Sequence, residues 1–259
     1  MTPPAFDLRG RVALVTGAGS ETGIGFAAAT VLAELGAAVA VAATTDRIHQ
    51  RATEVARVAE RASGHVADLT DEGAVARIVE EVIATHGRVD ILVNNAGMVS
   101  VGTSPEGGNL LGTDAETWHA GLSRNLDTAF LVTRAVLPHL VEQGWGRVVN
   151  VSSVTGPVTA MRNEAVYATA KAAMVGLTRS VAVDYARAGV TVNAVAPGWI
   201  ATGSQTAHEA AEGMLVPVGR SATPAEVASA IAWLCTPGAS YVTGQCLVVD
   251  GGHTINEEH

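Results

Sequence analysis

The chain has 259 residues and a formal net charge of −9, with 48% hydrophobic and only 16% charged residues. This is too apolar for a disordered chain and too acidic for a phosphate-backbone binder. Its two cysteines, Cys235 and Cys246, are too few for a disulfide-stapled secreted scaffold, and each reads as a small buried hydrophobe.

Residues 11–16 (RVALVT) are an apolar run stopped by glycines and predict a buried strand. Residues 23–35 predict an Ala-rich helix ended by Gly36, and residues 37–43 a second buried strand. A polar-faced helix over 46–62 and a short strand over 65–67 follow. Residues 71–86 predict a helix with Val75, Ile78, Val79 and Val82 on one face. A strand is expected over 89–93, and the glycine-rich, weakly periodic stretch 99–113 reads as a long loop. Helix returns over 122–142, strand over 147–151, a long helix over 165–187 and strand over 190–195. Thr223 and Pro224 open a helix over 224–235, as a cap and a first-turn proline. Residues 245–249 form the last strand. About seven strands alternating with helices predict one α/β domain over 1–259, a doubly wound parallel sheet with helices on both faces. The near-continuous Val/Ala/Ile strands agree, because such strands are buried on both sides.

The N-terminal residues 1–11 carry no apolar signal core, and no run approaches the roughly 20 apolar residues that span a bilayer. A soluble, cytoplasmic setting is expected.

The first strand runs straight into Thr16-Gly17-Ala18-Gly19-Ser20-Glu21-Thr22-Gly23-Ile24-Gly25, and a helix follows. Glycines let a backbone approach a diphosphate, and a helix N-terminus supplies N–H groups and partial positive charge. The general G-x-G-x-x-G pattern breaks at Thr22, so an ordinary glycine-rich turn remains open. At the end of the second strand an acidic residue would bind the ribose 2′-OH of NAD and repel the 2′-phosphate of NADP. Here stand Ala43-Thr44-Thr45-Asp46-Arg47. Hydroxyls and Arg47 suit a phosphate, so NADP is favoured. NAD stays possible, because a three-residue shift of the strand end would make Asp46 the ribose acid.

Tyr167 and Lys171 lie at i and i+4 on one predicted helix. Lys171 is the only lysine of the chain. A neighbouring ammonium favours phenolate and lowers a tyrosine pKa, which would make Tyr167 a general acid/base. Ser152 and Ser153 close the strand VVNVSS, at the carboxyl end where parallel sheets place ligands. A plain surface pair and a turn cap are the bland readings.

From Leu8 to Gly252 the sequence resembles the short-chain dehydrogenase/reductase family, a Rossmann-type fold. The resemblance rests on Thr16-Gly17…Gly23-Ile24-Gly25, Asp68-Leu69, Asn94-Asn95-Ala96-Gly97, Asn125, Ser153, Tyr167-x-x-x-Lys171, Asn193, Pro197-Gly198, Thr202 and Asp250-Gly251-Gly252. It implies that Ser153 polarises the substrate carbonyl and that Tyr167 passes the proton. Lys171 would bond the nicotinamide ribose, and Asn125 would fix a relay water. It implies that Gly17, Gly19, Ser20, Gly23 and Ile24 cradle the diphosphate, with Thr44, Thr45 and Arg47 at the adenosine end. Asp68 and Leu69 would flank the adenine. Asn95, Ala96 and Gly97 would steady the cofactor side of the sheet, beside Pro197 and Gly198. Thr202 and the Ile200 backbone would hold the carboxamide.

Three departures stand out. The glycine loop is two residues longer than T-G-x-x-x-G-x-G, bringing in Glu21, expected to point outward. The stretch from Gly97 to Trp118 is long. The Ser153–Tyr167 separation is one residue longer than usual, which puts Met161, Arg162, Asn163 and Glu164 near the substrate. Trp199 reads as packing, His208, His253 and His259 as solvated, and residues 200–217 as a lid. No metal spacing is present. The expected activity is an NAD(P)-dependent oxidoreductase of a small ketone or secondary alcohol, assembled as a homotetramer. A 3-oxoacyl-[acyl-carrier-protein] reductase and a non-catalytic dinucleotide sensor are the alternatives.

Overall fold

A computed structural model of the chain describes residues 2–97 and 108–257. Among these, seven strands form one parallel sheet in the order β3-β2-β1-β4-β5-β6-β7. The strands are β1 (Val12–Thr16), β2 (Ala38–Ala43), β3 (Ala62–Val66), β4 (Ile91–Asn94), β5 (Gly146–Val151), β6 (Val190–Pro197) and β7 (Cys246–Val249). The order reverses between β1 and β4, and at such a switch point the loops part to leave a crevice at the carboxyl ends of the strands.

Helices cover both faces. On one side α1 (Ile24–Glu34), α2 (Arg47–Val55) and α8 (Pro224–Cys235) enclose a core with Leu32, Ile48, Ile231 and the β-strand valines Val15, Val39 and Val93. On the other side α3 (Glu72–His86) and α5 (Thr128–Glu142) pack Val75, Ile78, Val82, Val132 and Val136 on Leu14 and Leu92. The long α6 (Ala165–Tyr185) lies beside α5 and β6. A fully buried strand needs no polar alternation, and β1, β4, β5 and β6 are buried at every position.

Several elements differ from the sequence expectations. The helix expected over 46–62 ends at Val55, after the last residue of its buried stripe Ile48, Ala52 and Val55. The chain then turns back to the sheet edge, so β3 begins at Ala62 rather than 65. Its pairing with β2 is made by the backbone of Ala62, Ser63 and Gly64, residues with no strand signature. The helix expected over 122–142 is three pieces: α4 (Ala115–Leu122), a π-helical segment Ser123–Asp127, and α5. Asp114 caps α4 by accepting the Thr117 N–H at 2.8 Å. Most of the loop expected over 99–113 lies outside the described residues. Within the expected lid a short helix, α7 (Ala207–Gly213), opens with a reciprocal cap between Thr206 and Glu209.

Candidate active site

The turn after β1 is built against the turn after β4. Asn95 Nδ2 donates to the Thr16 and Gly17 carbonyls at 3.2 and 3.0 Å. The backbone N–H groups of Asn95 and Ala96 both donate to Thr16 Oγ1 at 3.1 Å. Gly25 makes this junction possible, since a Cβ there would stand 2.5 Å from Asn95 Nδ2 and 2.7 Å from the Gly17 carbonyl. The first turn of α1 therefore sits directly on the glycine loop, with Gly17, Gly19, Ser20, Gly23 and Ile24 around it. A diphosphate fits such a cradle, because a helix N-terminus offers N–H groups without intrahelical partners.

The two additional loop residues have distinct partners. Glu21 points outward, 74% exposed, and pairs with Arg51 at 3.3 Å. Thr22 reaches across the crevice, its Oγ1 accepting the Gly203 N–H at 2.9 Å. At the outer end of the crevice β2 stops at Ala43. Thr44, Thr45, Asp46 and Arg47 are all exposed, and Asp46 occupies the position before α2. Asp68 follows β3 and accepts the Thr70 N–H and hydroxyl at 2.9 and 2.7 Å, which holds its carboxyl below the usual range. Leu69 beside it is buried.

At the inner end lies a cavity of about 360 Å³. Asn125, Ser153, Tyr167 and Lys171 all line it, with Ile24, Asn95, Pro197, Gly198, Ile200 and Thr202. The first four come from three separate segments of the chain. Ser153 follows β5, Tyr167 and Lys171 are one turn apart on α6, and Asn125 is in the π-helical segment, a widening that re-aims a side chain. Gly97 marks where two of them meet. A Cβ on it would lie 3.0 Å from Asn125 Oδ1 and 3.4 Å from Lys171 Nζ.

Lys171 is buried, and its Nζ donates to the Val151 carbonyl at 2.9 Å. The preceding turn is tied down by Ser152, whose hydroxyl donates to the Lys171 carbonyl at 2.9 Å. Burial pushes the Lys171 pKa down to about 8. The Tyr167 phenol is pushed up from its ordinary value, first by burial and further by Glu164 and Glu209, while its hydrogen bond with Ser153 pulls it back. The sequence expectation of a phenol acidified by lysine is thus corrected for this geometry. Lys171 Nζ sits 5.6 Å from the ring centroid and spends a hydrogen bond on Val151, and desolvation of the phenol prevails.

Sequence reasoning missed part of the wall. Thr155, Thr159, Gln205 and Glu209 line the cavity, as do Trp199 and His253. Trp199 was expected to pack and His253 to be solvated. Both instead face the same space, with ring centroids 6.2 Å apart. The 199–205 segment folds over β6, and the turn after β7 brings His253 to it, a long-range closure with no local signal. His208 is exposed as expected, and His259 lies outside the described residues. Met161 and Glu164 also line the cavity, while Arg162 and Asn163 line a shallower pocket next to it. No group of three or more potential metal ligands occurs among the described residues, and no helix among them is long and apolar enough to cross a membrane.

A family model described as enoyl-(acyl carrier protein) reductase matches residues 17–254. A cis-4-hydroxycyclohexanecarboxylate dehydrogenase of Sinomonas cyclohexanicum is 42% identical over 253 residues, covering 94% of this chain and 96% of the relative. The 3-oxoacyl-[acyl-carrier-protein] reductase FabG of Vibrio cholerae is 38% identical over 250 residues, covering 95% and 98%. A solved structure from Beutenbergia cavernae, described as an NAD(P) dependent gluconate 5-dehydrogenase with NADP bound at low occupancy, superposes with a TM-score of 0.88 at 40% identity. That match covers 97% of this chain and 100% of the other. Sheet order, crevice and relatives agree along almost the whole length, and the chain belongs to the short-chain dehydrogenase/reductase family of oxidoreductases.

Proposed function

We propose that the chain is an NAD(P)(H)-dependent oxidoreductase that interconverts a small ketone and its secondary alcohol. One observation carries this reading: Asn125, Ser153, Tyr167 and Lys171 converge on one cavity at the carboxyl end of the sheet. A nicotinamide dinucleotide, when bound, supplies the hydride acceptor or donor. The residues of the chain do the rest. Ser153 holds the substrate oxygen by a hydrogen bond and sits against the Tyr167 phenol. Tyr167 gives a proton to that oxygen on reduction and takes it on oxidation. Lys171, with a pKa of about 8, is able to exchange a proton near neutral pH, and Asn125 beside it orders the path along which that proton leaves. Gly198, Ile200 and Thr202 form the wall against which the nicotinamide end is held.

The adenosine end supports NADP over NAD. With β2 ending at Ala43, no carboxylate occupies the strand end, and Thr44, Thr45 and Arg47 are exposed there, Arg47 Nε donating to Thr45 Oγ1 at 3.4 Å, as groups that suit a phosphate. The Sinomonas relative is named for a secondary alcohol on a ring that also bears a carboxylate, which supports the secondary-alcohol class and leaves the charge of the remote group to this chain's own cavity. The segment 200–217, with α7, serves as the lid of this cavity. Exposed Phe130 on α5 and Val183 on α6 fit the subunit contacts of a homotetramer.

A second reading, reduction of a 3-oxoacyl group on a carrier protein, is favoured by the FabG relative and by the family model. An acidic carrier needs a basic surface at the cavity mouth. Among the lining residues only Lys171 and His253 are basic, and Lys171 is on the buried floor. The small-substrate reading therefore stands first.

The test is Tyr167→Phe assayed against a panel of ketones and secondary alcohols with both cofactors. Loss of at least ~100-fold in kcat/KM, with cofactor affinity retained, is expected. Full turnover in that variant would refute the proton-transfer role.

A further inference from the structure

The substrate cavity carries a pair of acids that the proposed chemistry does not use. Glu164 immediately precedes α6, three residues before Tyr167, and Glu209 lies in the first turn of α7. Both line the cavity together with Ser153 and Tyr167. Glu209 is held in place by its own helix, since its Oε2 accepts the Thr206 N–H at 2.6 Å. Glu164 has no ion pair among the described residues.

The positive groups within reach are few. Lys171 is on the floor with its Nζ on Val151, His253 is on the far wall near Trp199, and Arg162 lines the neighbouring shallow pocket. The two carboxyls raise the pKa of Tyr167, and Glu209 raises that of Glu164 beyond the effect of burial. The two carboxyls thus share the space that Ser153 and Tyr167 also line.

We propose that Glu164 and Glu209 set the charge preference of the substrate site, so that it takes secondary alcohols and ketones bearing a remote ammonium group and rejects those bearing a carboxylate. This rests on the reading of the cavity as the substrate site. An ammonium bound beside the two carboxyls relieves their mutual repulsion and gains a charge-assisted hydrogen bond. A carboxylate there meets two like charges, and among the described lining residues the basic groups are Lys171, whose Nζ is on the Val151 carbonyl, and His253 beside Trp199. A neutral substrate falls between.

The full-length protein saturated with NADP⁺ is titrated calorimetrically with cyclohexylmethylammonium, cyclohexanemethanol and cyclohexanecarboxylate. The same series carrying a 4-hydroxyl is assayed for oxidation. Wild type is expected to bind the ammonium probe at least ~30-fold more tightly than the carboxylate. Glu164→Gln is expected to cut that ratio about fivefold, and Glu164→Gln combined with Glu209→Gln to bring it near unity. Glutamine preserves the Thr206 cap, so the double variant keeps α7. A carboxylate probe that binds as well as the ammonium, a ratio unchanged in both variants, or no binding of any probe at 10 mM (roughly the floor of such titrations) overturns the proposal. Charge-selective binding with no oxidation of any member by either cofactor leaves it standing and counts instead against the oxidoreductase reading.

Discussion

Replacing Lys171 by methionine is expected to stabilise the fold while abolishing turnover. The lysine is 3% exposed, and its pKa falls from an ordinary 10.5 to about 8 because burial penalises the ammonium. At about 1.4 kcal/mol per tenfold change in proton affinity, a folded chain that keeps Lys171 charged gives up about 3 kcal/mol. Methionine removes that penalty and fills nearly the same volume. It also strands the Val151 carbonyl, which costs about 1–3 kcal/mol, so the net gain at pH 7 is about 0–2 kcal/mol. The pH dependence is the sharper reading because the stranded carbonyl drops out of it. The folded pKa is depressed, so between pH 8 and 10.5 the unfolded wild type binds more protons than the folded one. Wild-type stability must therefore rise with pH across that window. The advantage of Lys171→Met should shrink by about 2 kcal/mol between pH 7 and pH 9.5. Urea unfolding followed by far-UV circular dichroism at the two pH values measures this directly. A difference between the proteins that stays constant with pH, or a variant that is less stable at pH 7 by more than about 2 kcal/mol, would sink the argument that the lysine is held at a desolvation cost.

Gly25→Ala drives a methyl into Asn95 Nδ2 and the Gly17 carbonyl. It should cost about 1–3 kcal/mol, lower Tm by several degrees and weaken NADP⁺ binding roughly tenfold; a variant with wild-type Tm and affinity would show that the two turns are not in contact. His86 is buried, and burial, with Arg61 and His65, holds its pKa below the ordinary 6.5. Stability should therefore fall as pH drops through 6.5, where the unfolded chain takes up the proton first, and level off below the folded pKa. Unfolding curves at pH 7.5 and 5.5 should show a larger loss for wild type than for His86→Gln. Substituting Arg47→Asp should move the NADPH/NADH ratio of kcat/KM toward NADH by at least ~10-fold. An unchanged ratio removes Arg47 from the adenosine site.

The buried strands were legible because a Val/Ala run of four to eight residues has few other uses, and helices with a strong apolar stripe such as α3 followed from periodicity. Where the pattern failed, the structure is decided at a distance. β3 is made of Ala-Ser-Gly-His-Val, and only the open edge of β2 turns it into a strand. The break at Ser123–Asp127 (SRNLD) contains no Gly or Pro to punctuate the helix, so the sequence reads through it. Its bulge answers to the packing of Asn125 against Gly121 and the β4 turn. Ser153, Tyr167 and Lys171 stood out because their types and spacing carry chemistry. Glu209 and His253 had no such mark, since an acid in a first helical turn is an ordinary cap. They join the cavity wall only because residues 199–209 and the turn after β7 fold over the end of the sheet.

The bond from Thr22 to Gly203 joins the lengthened first loop to the chain leaving β6. Were residues 200–217 to move as the proposed lid, either this bond would part or the glycine loop would be drawn along with it. On that reading the lengthened loop would make nucleotide entry and substrate entry, otherwise independent doors, a mechanically linked pair.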